Sequence, residues 1–159
     1  LGRTSGTGVW GPRGVEVIAV DTNLLVYAHR RDSRWHLPAV ETLESLAAGR
    51  TAWAIPWPCV HEFYAIATHP RIYSPPSRPA QAMQQLRAWR ESPSLELLAE
   101  DEAYWPVLES LIDRSRITGA AIHDARVAAL CLRHGVRELL TADRDFSRFA
   151  ELATRNPLL

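Results

Sequence analysis

Lysine is absent: all 18 basic residues in this 159-residue chain are arginine. A Walker-A phosphate loop, a receiver-type phosphoacceptor domain and a haloacid-dehalogenase-like phosphatase each need a specific lysine, so all three are excluded. Cysteine is nearly absent too. Cys59 and Cys131 are far apart and in no CxxC pair, which removes a disulfide framework and a thiolate zinc site. Both are read as buried small hydrophobes in a reducing cytoplasm. No apolar run approaches the ~20 residues that span a bilayer and no signal peptide is visible, so a cytoplasmic protein with no membrane partner is expected. The 18 acids balance the 18 arginines to a net charge of zero. A global basic field is therefore not available to drive nucleic-acid binding. Glycine is scarce outside the start of the chain, where residues 1–14 hold five of the eight. That stretch lacks apolar periodicity and is expected to be a flexible tail outside the native fold, leaving 15–159 as one domain.

From Glu16 onward, short apolar runs alternate with amphipathic stretches. Val17–Asp21 and Ala52–Ile55 read as strands buried on both faces. Leu95–Leu98 and Glu138–Thr141 follow as a third and fourth, and Leu152–Arg155 is a weak fifth. A helical turn is expected over Asn23–His29. A helix with Pro38 near its start should turn Val40, Leu43 and Ala47 inward and stop at Gly49. Pro58 suits the first turn of a helix with Val60, Phe63, Tyr64 and Ala67 on one face. His69–Pro79, with four of the eleven prolines, reads as a loop, and Pro79 opens a helix to Ser92. Further helices cover about 104–114 and 122–134, the latter with Ala125, Ala128, Ala129 and Leu132 inward and Gly135 as its C-terminal cap. Strands separated by such helices imply an α/β three-layer sandwich with a central parallel sheet of four to five strands.

The chemistry concentrates in four acids. Asp21 ends the first strand, Asp143 follows the fourth, and Glu62 and Asp124 sit in the first turns of two helices. Parallel strand ends and adjoining helix ends gather at one sheet edge. Four carboxylates gathered there repel one another unless a cation lies between them. Asp124 gains from the helix dipole and is expected to stay ionised. Oxygen donors without a Cys or His cluster favour Mg²⁺, with Mn²⁺ as the alternative, over zinc. Such an ion supports hydrolysis of phosphate esters by an activated water, without a protein nucleophile.

The segment Val20-Asp21-Thr22-Asn23-Leu24-Leu25-Val26-Tyr27-Ala28, the lone Glu62, the helix start His123-Asp124-Ala125 and Thr141-Ala142-Asp143-Arg144-Asp145-Phe146 occur in this order. Together they resemble the PIN-domain ribonucleases, most closely the VapC toxins of bacterial VapBC toxin–antitoxin pairs, from about Val17 to the C-terminus. The resemblance implies that Asp21, Glu62, Asp124 and Asp143 bind metal and that Asp145 is an auxiliary acid. Thr22 and Asn23 would shape the loop after the first strand, and Thr141 would hydrogen-bond within the acidic cluster. It further implies Mg²⁺-dependent endonucleolytic cleavage of RNA, a homodimer, and a cognate VapB-type antitoxin that covers the acidic pocket.

Around an acidic centre, peripheral cations must hold the RNA backbone. Arg30, Arg31 and Arg34 cluster after the first helical turn, and Arg71, Tyr73 and Arg78 decorate the proline-rich loop. Trp35 and Tyr73 are candidates for stacking on bases, whereas Trp53 and Trp57 are expected to pack. His61 and His123 each precede a proposed ligand. Neighbouring helical residues point about 100° apart, so a capping or RNA-contacting role fits them better than ligation. Two rivals stay open: a metal-dependent DNA nuclease of the 5′-nuclease type, and a non-catalytic RNA-binding module.

Overall fold

The computed structural model describes residues 16–159, and the tail expected at 1–14 lies outside the described residues. Five strands, Val17–Val20 (β1), Trp53–Pro56 (β2), Leu95–Leu98 (β3), Val136–Leu140 (β4) and Thr154–Arg155 (β5), form one sheet in the order β3-β2-β1-β4-β5. Every pairing is parallel. Six helices flank it: Thr22–His29 (α1), His36–Ala48 (α2), Trp57–Ala67 (α3), Pro79–Arg90 (α4), Tyr104–Ser115 (α5) and Ile122–Arg133 (α6). The expected three-layer sandwich is the observed one, and the weak fifth strand is present as Thr154–Arg155.

The strand order carries the functional geometry. From β1 the chain steps outward through β2 to β3, then returns to place β4 on the other side of β1. β1 and β4 are therefore the pair at which the winding direction reverses, and their carboxyl ends flank a crevice. Ala19 pairs with Leu139 and Val20 with Leu140, after a register shift that leaves Arg137 as an extra residue in β4. The Asp21 N–H donates to the Leu140 carbonyl at 3.0 Å, locking the two strand ends side by side.

The core forms around fully buried Ala19, Val20, Trp53, Ala54, Leu139 and Leu24. Trp53 can be buried because its indole N–H donates to Ser92 Oγ at 3.0 Å, which satisfies the one polar atom it carries into the interior. On α6, Ala125, Ala128 and Ala129 are completely buried together with Leu130 and Cys131. Small side chains let the helix axis approach its neighbours closely, and the helix stops where Gly135 adopts φ +69, a conformation that glycine reaches without a Cβ clash.

Several inward faces differ from their sequence-based expectation by one position. On α2 the buried residues are Ala39 and Leu43, while Ala47 is exposed. The helix begins at His36, so Ala39 occupies the inward position one residue before Val40. On α3 Cys59, Phe63 and Ala67 are buried, with Val60 and Tyr64 at the margin. Trp57 is 36% exposed instead of packed, because it is the first residue of α3 and projects beyond the sheet edge, where it stacks on His61. No helix among the described residues is long and apolar enough to cross a membrane.

If the α6 alanines set the distance between helix and sheet, enlarging one should strain that contact. Ala128→Leu is expected to lower stability by about 1–3 kcal/mol, read as a lower urea midpoint at unchanged slope. An unshifted midpoint would mean that α6 does not approach closely there.

Candidate metal centre

The crevice between the ends of β1 and β4 opens into a cleft of about 490 Å³ whose lining includes Asp21, Thr22, Asn23, His61, Glu62, His123, Asp124, Arg126 and Asp143. The four acids of the sequence pattern thus arrive from four different elements: the end of β1, α3, the first turn of α6 and the turn after β4. Among the described residues, oxygens of Asp124, Asp143 and Asp145 lie within 4.8 Å of one another. Two carboxylate charges at that distance repel by roughly 3 kcal/mol at an effective dielectric near 20, before solvent screening. Asp145 thus belongs to the same tight group as Asp124 and Asp143, although the sequence places it outside the main set. Asp21 and Glu62 line the same cleft outside this tight trio.

Asp21 forms the floor. It is 6% exposed and held by neutral donors: Thr141 Oγ1 at 2.7 Å, Asn23 Nδ2 at 3.3 Å and the Cys59 thiol at 3.6 Å. Burial outweighs these bonds and pushes the Asp21 carboxyl from its ordinary 3.8 to about 6, with the Glu62 charge adding to the rise. The strap after β4 is tied to the same point. Asn23 Oδ1 accepts from the Ala142 N–H at 3.1 Å, Thr141 Oγ1 accepts from the Asp143 N–H at 3.0 Å, and Asp143 Oδ1 accepts from the Asp145 N–H at 2.8 Å. Thr22, itself 4% exposed, donates its hydroxyl to Glu62 Oε1 at 2.7 Å. Asn23 and Thr22 thus bind different acids: the first joins Asp21 to the β4 turn, and the second aims Glu62.

Asp124 sits in the first turn of α6 with other acids close by. Its carboxyl is raised above the ordinary range, first by burial, then by the charges of Asp143 and Asp145.

Cys59 is more than a core filler. It stands three residues before Glu62, and burial followed by the Asp21 charge keeps its thiol well above the ordinary 9.0. It is therefore a protonated donor to Asp21. No local spacing signals this bond, since Asp21 lies 38 residues away in the chain. Arg126 also lines the cleft, with its Nε committed to Glu100 at 2.5 Å. Among the described residues no ion pair involves Asp21, Glu62, Asp124 or Asp143. A set of hard oxygen donors with a buried carboxylate that lacks a counter-charge fits a hard divalent cation.

The peripheral residues divide. Arg30 is internal, with a side chain only 12% exposed. It bonds Asp32, Ser77 and the Pro75 carbonyl, and lies 4.3 Å from the Tyr73 ring centroid. Those contacts pin the proline-rich loop and leave little of Arg30 or Tyr73 for a ligand. Trp35 is partly buried against the core with the Arg34 guanidinium over its ring at 4.7 Å, so its outward face is covered. Arg31, Arg34, Arg71 and Arg78 are exposed.

A family model described as the PIN domain matches residues 18–152. In sequence the chain is similar to VapC ribonuclease Mb2897 of Mycobacterium bovis, 34% identical over 142 residues that cover 89% of this chain and 96% of that one. It is 28% identical over 137 residues to ribonuclease VapC48 of Mycobacterium tuberculosis, covering 86% and 94%. In three dimensions it resembles a chain from VapBC2 of Rickettsia felis bound to a promoter DNA fragment, with a TM-score of 0.65 at 19% identity over 88% of this chain and 98% of that one.

The buried charge generates a test by stability alone. In metal-free protein Asp21 binds its proton more tightly when folded than when unfolded, so its contribution to stability is complete below about pH 4 and is lost as pH rises through about 6. The gap between 3.8 and about 6 corresponds to roughly 3 kcal/mol. In the presence of EDTA, Asp21→Asn should match the wild type near pH 4 and be the more stable protein above pH 7. A difference independent of pH would show that ionised Asp21 is not a strained group.

Proposed function

We infer, from the premise that this chain belongs to the PIN-domain family and to its VapC group, that it is a metal-dependent endoribonuclease and the toxin of a VapBC-type toxin–antitoxin pair. The observation that carries this reading is the convergence of Asp21, Glu62, Asp124 and Asp143 around one cleft, with no cation among the described residues paired to them. The relatives' names supply the substrate: those proteins are called ribonucleases.

Asp124, Asp143 and Asp145, whose oxygens already lie within 4.8 Å of one another, are the residues to hold a divalent ion, with Asp21 and Glu62 completing the acidic ring. Mg²⁺ or Mn²⁺ bound there supplies charge neutralisation at a phosphate and a more acidic water. The chain's own residues do the positioning. Asp21 is immobilised by Thr141, Asn23 and Cys59, so its oxygens cannot swing away from the cleft. Glu62 is exposed at the cleft and oriented by Thr22, which suits it to orient the attacking water and accept its proton. Asp21, with one oxygen engaged by Thr141 and the other by Cys59, is unsuited to that exchange and serves as a fixed ligand. His61 and His123 stand at the mouth of the cleft, where they can meet RNA phosphates.

A toxin of this kind is expected in the cytoplasm as a homodimer that brings two clefts together, neutralised by a VapB-type partner. The partner assignment is supported by the VapBC complex among the similar structures. A polar segment bearing a cation would fit an acidic cleft whose lining arginine, Arg126, is already bonded to Glu100.

The reading is tested with single-stranded RNA and DNA of matched sequence. RNA should be cut when Mg²⁺ is present and spared in EDTA, and Asp143→Asn should reduce cutting by more than about a hundredfold, beyond what loss of an outer hydrogen bond does to a metal site. Preferential cutting of DNA would favour the 5′-nuclease type. Mg²⁺-independent cutting retained by Asp143→Asn would remove the metal-centre assignment.

A further inference from the structure

A second groove, of about 700 Å³, lies where the end of α1 meets α4 and is lined by His29, Arg30, Arg31, Ser77, Gln81, Gln84 and Gln85, with Asp32 and Ala88. None of these residues belongs to the acidic cleft. The groove is polar, and the direction of its hydrogen bonds can be followed. Arg30 Nη1 donates to Ser77 Oγ at 3.2 Å. Ser77 Oγ lies 2.8 Å from His29 Nε2, and His29 Nδ1 lies 3.1 Å from Gln85 Oε1. An amide oxygen can only accept, so Nδ1 carries the ring proton. Burial lowers the His29 pKa, so the ring is neutral and Nε2 accepts from the Ser77 hydroxyl. Gln85 is left with its amide NH₂ as the free end of this chain. Gln81 is polarised in the same sense, because its Oε1 accepts the Arg78 N–H at 2.8 Å.

The side-chain oxygens of Ser77, Gln81 and Gln85 are thus engaged, and among the described residues the amide N–H groups of Gln81 and Gln85 donate to no partner. Asp32, the one carboxylate, takes two bonds from Arg30. Arg31 is exposed at the lip and enters none of the side-chain hydrogen bonds or ion pairs formed among the described residues. A concave surface offering one guanidinium and several amide N–H groups, with its acid already neutralised, is complementary to an oxyanion-bearing ligand.

We propose that this groove is a second binding site that takes a phosphodiester of the RNA strand, remote from the bond being cut. The proposal rests on the ribonuclease reading and deepens it. α1 joins the two sites: Thr22 at its start bonds Glu62, and His29 at its end builds the groove. From Thr22 to His29 the eight-residue helix rises about 10 Å at about 1.5 Å per residue, so a strand engaged at both is held by a phosphate a few nucleotides away. Arg31, Gln84 and Gln85 make the contact. Arg30, Ser77 and His29 act through Gln85 and are positioning residues.

The test measures binding without cleavage, by anisotropy of a fluorescein-labelled single-stranded RNA with EDTA present, over a series of NaCl concentrations. Arg31→Ala should weaken binding several-fold and reduce the slope of log affinity against log salt by about 0.7, the value for one phosphate contact on a single strand. Gln84→Ala should weaken binding while leaving the slope in place, since no charge is removed. Wild-type protein that binds RNA, and cuts it in Mg²⁺, while Arg31→Ala keeps both affinity and slope, would overturn the groove assignment and leave the ribonuclease reading standing. Wild-type protein that neither binds nor cuts RNA would overturn both.

Discussion

The hydrogen bond from Thr141 to Asp21, 2.7 Å long and buried, joins the ends of the two strands on which the molecule turns. Asp21 leaves β1 and Thr141 leaves β4, and the sheet order makes these neighbours although 120 residues separate them. From that contact the rest of the site is hung. Asn23 reaches across to the Ala142 backbone, Thr141 accepts the Asp143 N–H, and Asp143 in turn accepts that of Asp145. A carboxylate held so deeply by neutral donors is at odds with hydrophobic surroundings. The resulting rise of the Asp21 pKa to about 6 reflects an environment that favours a proton or a cation at that point. The fold places the charge, and the chemistry must supply its partner.

Rigidity grades outward from there. Asp21 is buried, Asp124 and Asp143 are half-buried, and Glu62 and Asp145 are exposed. A fixed floor with more mobile acids at the edge suits a site that must admit a hydrated ion and a phosphate and then release a product. Hydration keeps the outer acids free to exchange ligands, whereas the inner one has only protein donors beside it. The same α1 that bears Thr22 and Asn23 ends in His29, whose ring meets Phe63 of α3 edge-on at 5.3 Å. Phe63 adjoins Glu62, so α1 and α3 share a packed connection between the acidic cleft and the polar groove.

The arginines illustrate how one residue type serves unlike ends. Arg30, Arg31 and Arg34 follow one another closely in the chain, yet Arg30 is absorbed into the support of the proline-rich loop, Arg34 covers Trp35, and Arg31 is exposed with no side-chain bond to the described residues. A cluster in sequence suggests a basic patch. Planar guanidinium groups also bond carbonyls and stack on rings, and which use each finds depends on what lies within reach once the loop is folded.

The sequence by itself determined the alternation of strands and helices, the parallel sheet, and the identity of the four acids, because continuous apolar runs, 3.6-residue periodicity and helix-start prolines are local signals that act over a few residues. Its errors were equally local, such as the inward face of α2 displaced from Ala39 to Val40. Only the tertiary structure decided that β4 pairs with β1, that Asp145 joins Asp124 and Asp143 within 4.8 Å, that Cys59 donates to Asp21, and that burial with two neighbouring charges raises the Asp124 carboxyl. Those outcomes depend on desolvation and on distances between groups remote in the chain. Neither quantity exists until the sheet has formed.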